Sequence, residues 1–402
     1  MAFSTVRRTF LCKVFVLLII SMIGFVLIST NIGIKNVPNG ATYYKTLERQ
    51  LQQLQERFDG LAVVDEDSKC SPTKSVAFAK THKTGSSTLQ NILFRYGVQH
   101  ELNFALPKGG WMFSFKEPFN ADMVLEGPFK GLDFNLFAFH SVWNYAQMQR
   151  VLPHAKYLTL LRDPTECFES NYVYMGLSAV YKMDFNEFAQ KKALAGLVRK
   201  PKSIIGKNQQ LWDLGLNDTA MENRTLVMQK IRDLDRQMDL VLIMERFDES
   251  LVLLSDLLCW PIDELSYLKQ NERITTKKTN ITQETRKIMR KWLWADYMLY
   301  DYFKAELNTK LRKLKSDYVR QRLQELSAAK NMVTRACVIQ KSDNSKLTGE
   351  FKMALPIVLG YVIDETKPWC AIFARSEPNF SKQIRDYQEL KLKGEQLKGK
   401  IP

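Results

Sequence analysis

Residues 75–96 join a short apolar stretch to an amphipathic helix through a dense polar loop, and few folds accept that join. Ser75-Val-Ala-Phe-Ala79 is apolar and β-prone, while Leu89, Ile92, Leu93 and Tyr96 fall at helical i, i+3, i+4, i+7 spacing. Between them stands Lys80-Thr-His-Lys-Thr-Gly-Ser-Ser-Thr88. A strand that feeds a tight loop opening a helix aims backbone N–H groups and the positive helix end at one point, where an anion can sit. Lys83 adds a compact charge and Ser86, Ser87 and Thr88 add hydroxyls, so Lys83, Thr84, Gly85, Ser86, Ser87 and Thr88 are the candidate phosphate-binding residues. The plainer alternative is an ordinary strand–loop–helix corner with a surface lysine.

A nucleoside triphosphatase loop is excluded, because that motif ends in Gly-Lys-Ser/Thr after an earlier glycine. Here Lys83 precedes Gly85 and no glycine stands ahead of it in the loop. The order Lys-Thr-Gly-Ser-Ser resembles the 5′-phosphosulfate loop of sulfotransferases, which use 3′-phosphoadenosine 5′-phosphosulfate (PAPS). The longer string Lys-Thr-His-Lys-Thr-x-Ser-Ser-Thr-Leu is similar to that of the galactose 3-O-sulfotransferase family. Leu-Val-Leu…Phe-Asp-Glu-Ser-Leu-Val-Leu-Leu within residues 239–260 resembles a second family segment, and Gln210-Leu-Trp-Asp-Leu-Gly215 and Leu359-Gly-Tyr361 are fainter echoes. Together the likeness covers most of residues 75–370. Two departures stand out: alanine is usual in the family where Gly85 lies, and Val142-Trp143 replaces an Arg-Phe pair, which bears on acceptor recognition more than on chemistry.

The resemblance implies an α/β fold, a mostly parallel sheet flanked by helices in the P-loop-like manner of PAPS sulfotransferases. It also implies a second anion corner for the donor's 3′-phosphate. Residues 157–161 read as a strand, Arg162 follows, Asp163 suits an N-cap, Pro164 the first helical position and Glu166 a capping box. Arg162 can fork onto a phosphate, and Ser170, two turns on, can offer a hydroxyl. Two such corners at the carboxyl ends of strands would form one crevice. By the same resemblance Lys83 sits at the bridging oxygen of the breaking bond, and His140, at the end of the apolar run 134–139, is the general base. Glu245 and Asp248 are the alternative bases. His82 is expected to orient backbone, and His100 and His154 to lie on the surface. The acceptor implied is a galactose-terminated glycolipid or glycan, with a glycosaminoglycan sulfotransferase or a non-catalytic Golgi glycan-binding scaffold as rivals. No metal is expected: there is no His-Glu-x-x-His, no Cys-x-x-Cys and no Asp-rich loop.

With 402 residues, 45% of them hydrophobic, the chain can build one large α/β domain with additions, or two small domains. Its net charge of +15 suits an anionic nucleotide, a membrane surface or an acidic polymer, but no compact basic block interleaved with aromatics points to nucleic acid. Arg7, Arg8 and Lys13 precede residues 14–34, which carry no charge. That run is long enough to span a bilayer, and its basic flank predicts a cytosolic N-terminus. The expected plan is a cytosolic tail at 1–13, a signal anchor at 14–34, a stem at 35–74 and a lumenal domain at 75–402, in a single-pass type II protein of the Golgi membrane. Sequons at Asn217, Asn223, Asn280 and Asn379 agree with a lumenal domain. Tyr44, Leu47, Leu51, Leu54 and Phe58 repeat at heptad spacing in the stem, which leaves a homodimeric coiled coil and a single amphipathic helix both open.

Beyond the anchor are five cysteines, an odd number. Cys167 lies inside the second motif and is the expected free thiol; Cys70, Cys259, Cys337 and Cys370 would form two disulfides in one of three pairings. Further strands are expected at 134–139 and 240–244, a helix from Phe247 to Leu258, and a charged helical region at 282–329 with a Leu307, Leu311, Leu314, Tyr318 stripe. Trp292 and Trp294 read as core or interface anchors rather than ligand platforms. After Asn331 the pattern predicts no particular element, and the Lys-rich stretch 391–400 reads as a solvated end.

Overall fold

The computed structural model describes residues 70–126, 129, 132–193, 206–274, 278–353 and 355–392. The expected anchor, the stem as far as Lys69 and the tail beyond Leu392 lie outside them. No described helix is long and apolar enough to cross a membrane. In chain order come β1 (Val76–Ala79), α1 (Ser86–Gln99), β2 (Met112–Pro118), β3 (Leu136–Phe137), β4 (His140–Val142), α2 (Tyr145–Val151), β5 (Lys156–Leu161) and α3 (Pro164–Tyr174). Then follow α4 (Gln209–Asp213), α5 (Arg224–Gln237), β6 (Leu240–Ile243), α6 (Phe247–Leu258), β7 (Glu272–Arg273), α7 (Gln283–Trp292), α8 (Trp294–Lys313) and α9 (Ser316–Cys337). The chain closes with β8 (Val338–Ser342), β9 (Val358–Ile363) and α10 (Glu377–Leu392), with shorter helical turns between.

The central sheet has the order β3-β1-β5-β6, and every pairing in it is parallel. Its strands read as nearly unbroken apolar runs because helices cover both faces. Alternate residues separate cleanly. Ala77, Tyr157, Leu161, Val241 and Ile243 face a core closed by α3, α5 and α8. Val76, Phe78, Leu158, Leu160, Leu240 and Leu242 face the opposite core, closed by α1, α6 and α10. From β1 the chain steps outward to β3, then crosses back to β5 and on to β6. The order therefore reverses between β1 and β5, and the crevice outside their carboxyl ends is where such sheets bind ligands.

Three expectations need correction. The run 134–139 is not one strand: β3 ends at Phe137, and β4 starts at His140, which bridges to Lys80 beyond the end of β1. The helical stripe from Leu307 breaks after Leu311, because α8 ends at Lys313 and Leu314 is extended; Tyr318 opens a separate helix and stays exposed. The region after Asn331 is well structured: α9 continues to Cys337, and β7, β9 and β8 form an antiparallel sheet. β7 and β8 are short and partly exposed, so they lack the apolar runs that reveal a strand in sequence, whereas β9, Val358–Ile363, is a mostly buried apolar run that the sequence reading leaves unassigned. The disulfides are Cys70–Cys259 and Cys337–Cys370, and Cys167 is the buried free thiol.

Candidate active site

The loop after β1 turns on two left-handed residues, Lys83 at φ 58° and Gly85 at φ 86°. Glycine adopts that backbone without strain and lysine does not, so Lys83 must be held. The holding comes from within. Thr81 Oγ1 donates to the Leu160 carbonyl at 2.6 Å and lies 2.8 Å from Thr84 Oγ1, while Ser86 Oγ donates to the Thr81 carbonyl at 2.6 Å. The hydroxyls of Thr84 and Ser86 thus brace the loop. Thr88 Oγ1 accepts the Gln270 N–H at 3.0 Å, and Ser87 Oγ accepts from Asn271 Nδ2 at 3.1 Å. The backbone N–H groups opening α1, together with Lys83, remain the candidate anion-binding groups of the loop.

The second corner forms as its sequence requires, with one exchange. Asp163 Oδ1 accepts the N–H groups of Thr165 and Glu166, and Pro164 fills the first helical position. Glu166 does not complete a capping box, because the Asp163 N–H already donates to Glu245 Oε1 at 2.8 Å. Glu166 instead pairs with Arg286 at 2.7 Å. Gln210 clamps the backbone of Arg162 from both sides, accepting its N–H and donating to its carbonyl, each at 2.9 Å. Ser170 is half-buried two turns into α3.

The two corners meet. Arg162 Nη1 donates to the Lys83 carbonyl at 3.2 Å. The Lys83 ammonium rests 3.6 Å above the Tyr174 ring at the end of α3, a cation–π contact in place of a carboxylate partner. Burial, and then the charge of Arg162, bring the Lys83 pKa down to about 7; Arg273 and Lys80 push the same way. Lys80 is wholly buried and pairs with Glu377 at 2.6 Å; burial lowers its pKa and the glutamate opposes the shift.

His140 opens β4 and faces this crevice. Its ring stacks on that of His82 at 4.4 Å, and its buried Nδ1 has no hydrogen-bond partner. Burial first, then Lys80 and His82, hold it well below the usual histidine range, so it is neutral. His82 does more than orient backbone. Asp213 takes its N–H at 2.6 Å and its Nδ1 at 2.8 Å, leaving Nε2 buried and unpartnered. Sequence reasoning missed this pair, although Asp213 lies in the 210–215 segment already marked by resemblance. Asp296 fixes α4 by accepting the N–H groups of Gln210 and Leu211. Gly215, at φ 86°, lies so close to the Trp143 carbonyl that a Cβ would stand 2.2 Å from it.

The alternative bases are committed elsewhere. Glu245 also accepts the Tyr300 hydroxyl at 3.0 Å, and Asp248 is bound by Tyr267 and Lys330. His100 pairs with Glu264 on the surface and His154 is exposed, as expected. Val142 and Trp143 are buried. Cys167 donates to the His82 carbonyl at 3.2 Å, and burial pushes its thiol pKa far up, so it is a packing residue.

A parallel α/β sheet with two basic loop–helix corners joined at its switch point defines the class: an α/β fold with a candidate anion site at the carboxyl ends of its strands. The chain belongs to the galactose-3-O-sulfotransferase family, whose model matches residues 4–349. It is 32% identical over 276 residues to the galactosylceramide sulfotransferase of Bos taurus, a match covering 67% of this chain and 65% of that relative. The Homo sapiens protein of the same name is 32% identical over 279 residues, with the same coverage. The galactose-3-O-sulfotransferase 2 of Mus musculus is 30% identical over 285 residues, covering 64% of this chain and 70% of the relative. The chain thus spans just under two thirds of the galactosylceramide sulfotransferases it matches.

Proposed function

We propose that this crevice binds PAPS and that the protein transfers its sulfuryl group to the 3-hydroxyl of a terminal galactose, with galactosylceramide or a related galactolipid as the leading acceptor. The observation that carries this reading is the hydrogen bond from Arg162 to the Lys83 carbonyl, which makes one site of two anion corners. The donor set fits: helix N-termini, a buried ammonium with no carboxylate partner among the described residues and a guanidinium for the phosphates, with two buried, unpartnered histidine nitrogens beside them. In the transfer a bond forms between sulfur and the acceptor oxygen as the bond from sulfur to the donor's phosphate oxygen breaks. Lys83 stabilises the charge growing on that oxygen. A histidine takes the hydroxyl proton. His140 Nδ1 is the first choice for this base. The Asp213–His82 pair favours a second reading, in which Asp213 holds Nδ1 and Nε2 accepts the proton.

The full-length chain incubated with labelled PAPS and galactosylceramide, lactosylceramide, N-acetyllactosamine and desulfated glycosaminoglycans tests the reading. Label on the galactolipids supports it; label on glycosaminoglycan alone, or on nothing, overturns it. Lys83→Ala should fold and lose at least about 100-fold in kcat. His140→Ala should cut kcat far more than donor binding, and if His82→Ala and Asp213→Asn do so instead, the base is His82.

The same reading places residues 14–34 in the Golgi membrane as a type II anchor. The two disulfides and the exposed Asn217, Asn223 and Asn280 support an oxidising lumen. Resistance to alkaline carbonate extraction, together with glycosidase-sensitive mass, is the corresponding measurement.

A further inference from the structure

Residues 270–274 lie against both halves of the crevice. At one end the Gln270 N–H and Asn271 Nδ2 bond Thr88 and Ser87 in the first turn of α1. At the other, Arg273 forks onto Glu169 of α3, with Nη1–Oε1 at 2.9 Å and Nη2–Oε2 at 2.6 Å. Glu169 is 1% exposed and adjoins Ser170. It also accepts the Thr279 N–H at 3.3 Å, which draws the chain back to the same carboxylate. The stretch is held from behind, where Glu272 and Arg273 pair with Leu359 and Val358 of β9.

The balance of charge makes this more than a structural ion pair. Lys80 has Glu377 and Arg273 has Glu169, but among the described residues Lys83 has only the Tyr174 ring, and Arg162 shares Glu166 loosely, at 3.6 Å, with Arg286. Cations gathered in this way repel one another unless an anion joins them. The Arg273 fork engages two of its five N–H groups, and its side chain, 15% exposed, is not sealed off.

Resting on the donor reading above, we propose that Arg273 is a third cation of the donor site, presented to the 3′-phosphate beside Ser170, and that Glu169 is the residue that positions it. Arg162 approaches that phosphate from the end of β5 and Arg273 from β7. Arg273 then helps the protein to distinguish a 3′,5′-bisphosphate from a nucleoside 5′-phosphate.

The test is calorimetric binding of adenosine 3′,5′-bisphosphate and of adenosine 5′-phosphate to the full-length chain and to Arg273→Ala, with kcat and donor KM alongside. The variant should lose roughly 10- to 100-fold in bisphosphate affinity, the loss of one charge-assisted contact, and leave 5′-phosphate binding unchanged. Glu169→Gln should raise donor KM with little effect on kcat. Equal losses for both nucleotides, or no loss for either, overturn the role of Arg273 while the donor reading stands. A wild-type chain that binds neither overturns both. Should Arg273→Ala fail to fold, Arg273→Lys, which keeps the charge but not the fork, takes its place: a selective loss of bisphosphate affinity supports the role, and equal or absent losses overturn it.

Discussion

Lys83 combines a left-handed backbone with a buried ammonium, and both shape its chemistry. An anionic donor binds the ammonium and not the amine. With a pKa of about 7 in the donor-free protein, affinity for adenosine 3′,5′-bisphosphate should be full below that pH and fall as pH rises through it, by up to roughly tenfold per unit. Titration calorimetry from about pH 6 to about pH 8.5 measures this; a flat profile would mean that Lys83 stays charged throughout. Gly85 is as constrained as its neighbour. A Cβ there would stand 2.4 Å from Met244 Sδ, on a backbone at φ 86°. Although alanine is usual in the family at this position, Gly85→Ala in this chain should cost more in urea unfolding than the left-handed backbone alone, which is worth about 1–2 kcal/mol. Adding Met244→Ala should relieve the steric part and leave the backbone part.

The elements differ in how readily sequence reveals them. β1, β5 and β6 are legible because a doubly covered parallel strand has to be apolar throughout. The start of α3 is legible because Asp163-Pro164 is a strong capping signal, yet the partner of the Asp163 N–H is not, since Glu245 lies 82 residues away. The role of His82 is hidden for the same reason: Asp213, which orients it, is 131 residues distant. In the C-terminal sheet β7 and β8 carry no sequence signal because they are short and half-exposed, while β9 is an apolar run that the sequence reading leaves unassigned. That sheet nevertheless braces the site, as β9 pairs with β7 and Cys337–Cys370 fastens α9 to the segment ahead of α10. Replacing both cysteines with serine should lower stability by about 3–4 kcal/mol for a loop of this length and weaken bisphosphate binding. Unchanged binding would show that β7 needs no such brace.

At the scale of the whole molecule, the reversal of strand order between β1 and β5 lets two loops from distant parts of the chain share one crevice, while the basic residues around it make the chain's positive charge locally useful. The expected stem and anchor would add residence at a surface without altering this centre. On the proposed donor reading, the bond from Arg162 to the Lys83 carbonyl has a consequence for the catalytic cycle. Because the corners are tied before anything arrives, whatever grips both gains a chelate advantage, and the desulfated nucleotide keeps both of its phosphates after transfer. Departure of that spent nucleotide, and not sulfuryl transfer itself, is then expected to limit turnover. Adenosine 3′,5′-bisphosphate should inhibit competitively against PAPS at concentrations below the donor's own KM, and a burst of sulfated product should precede the steady state.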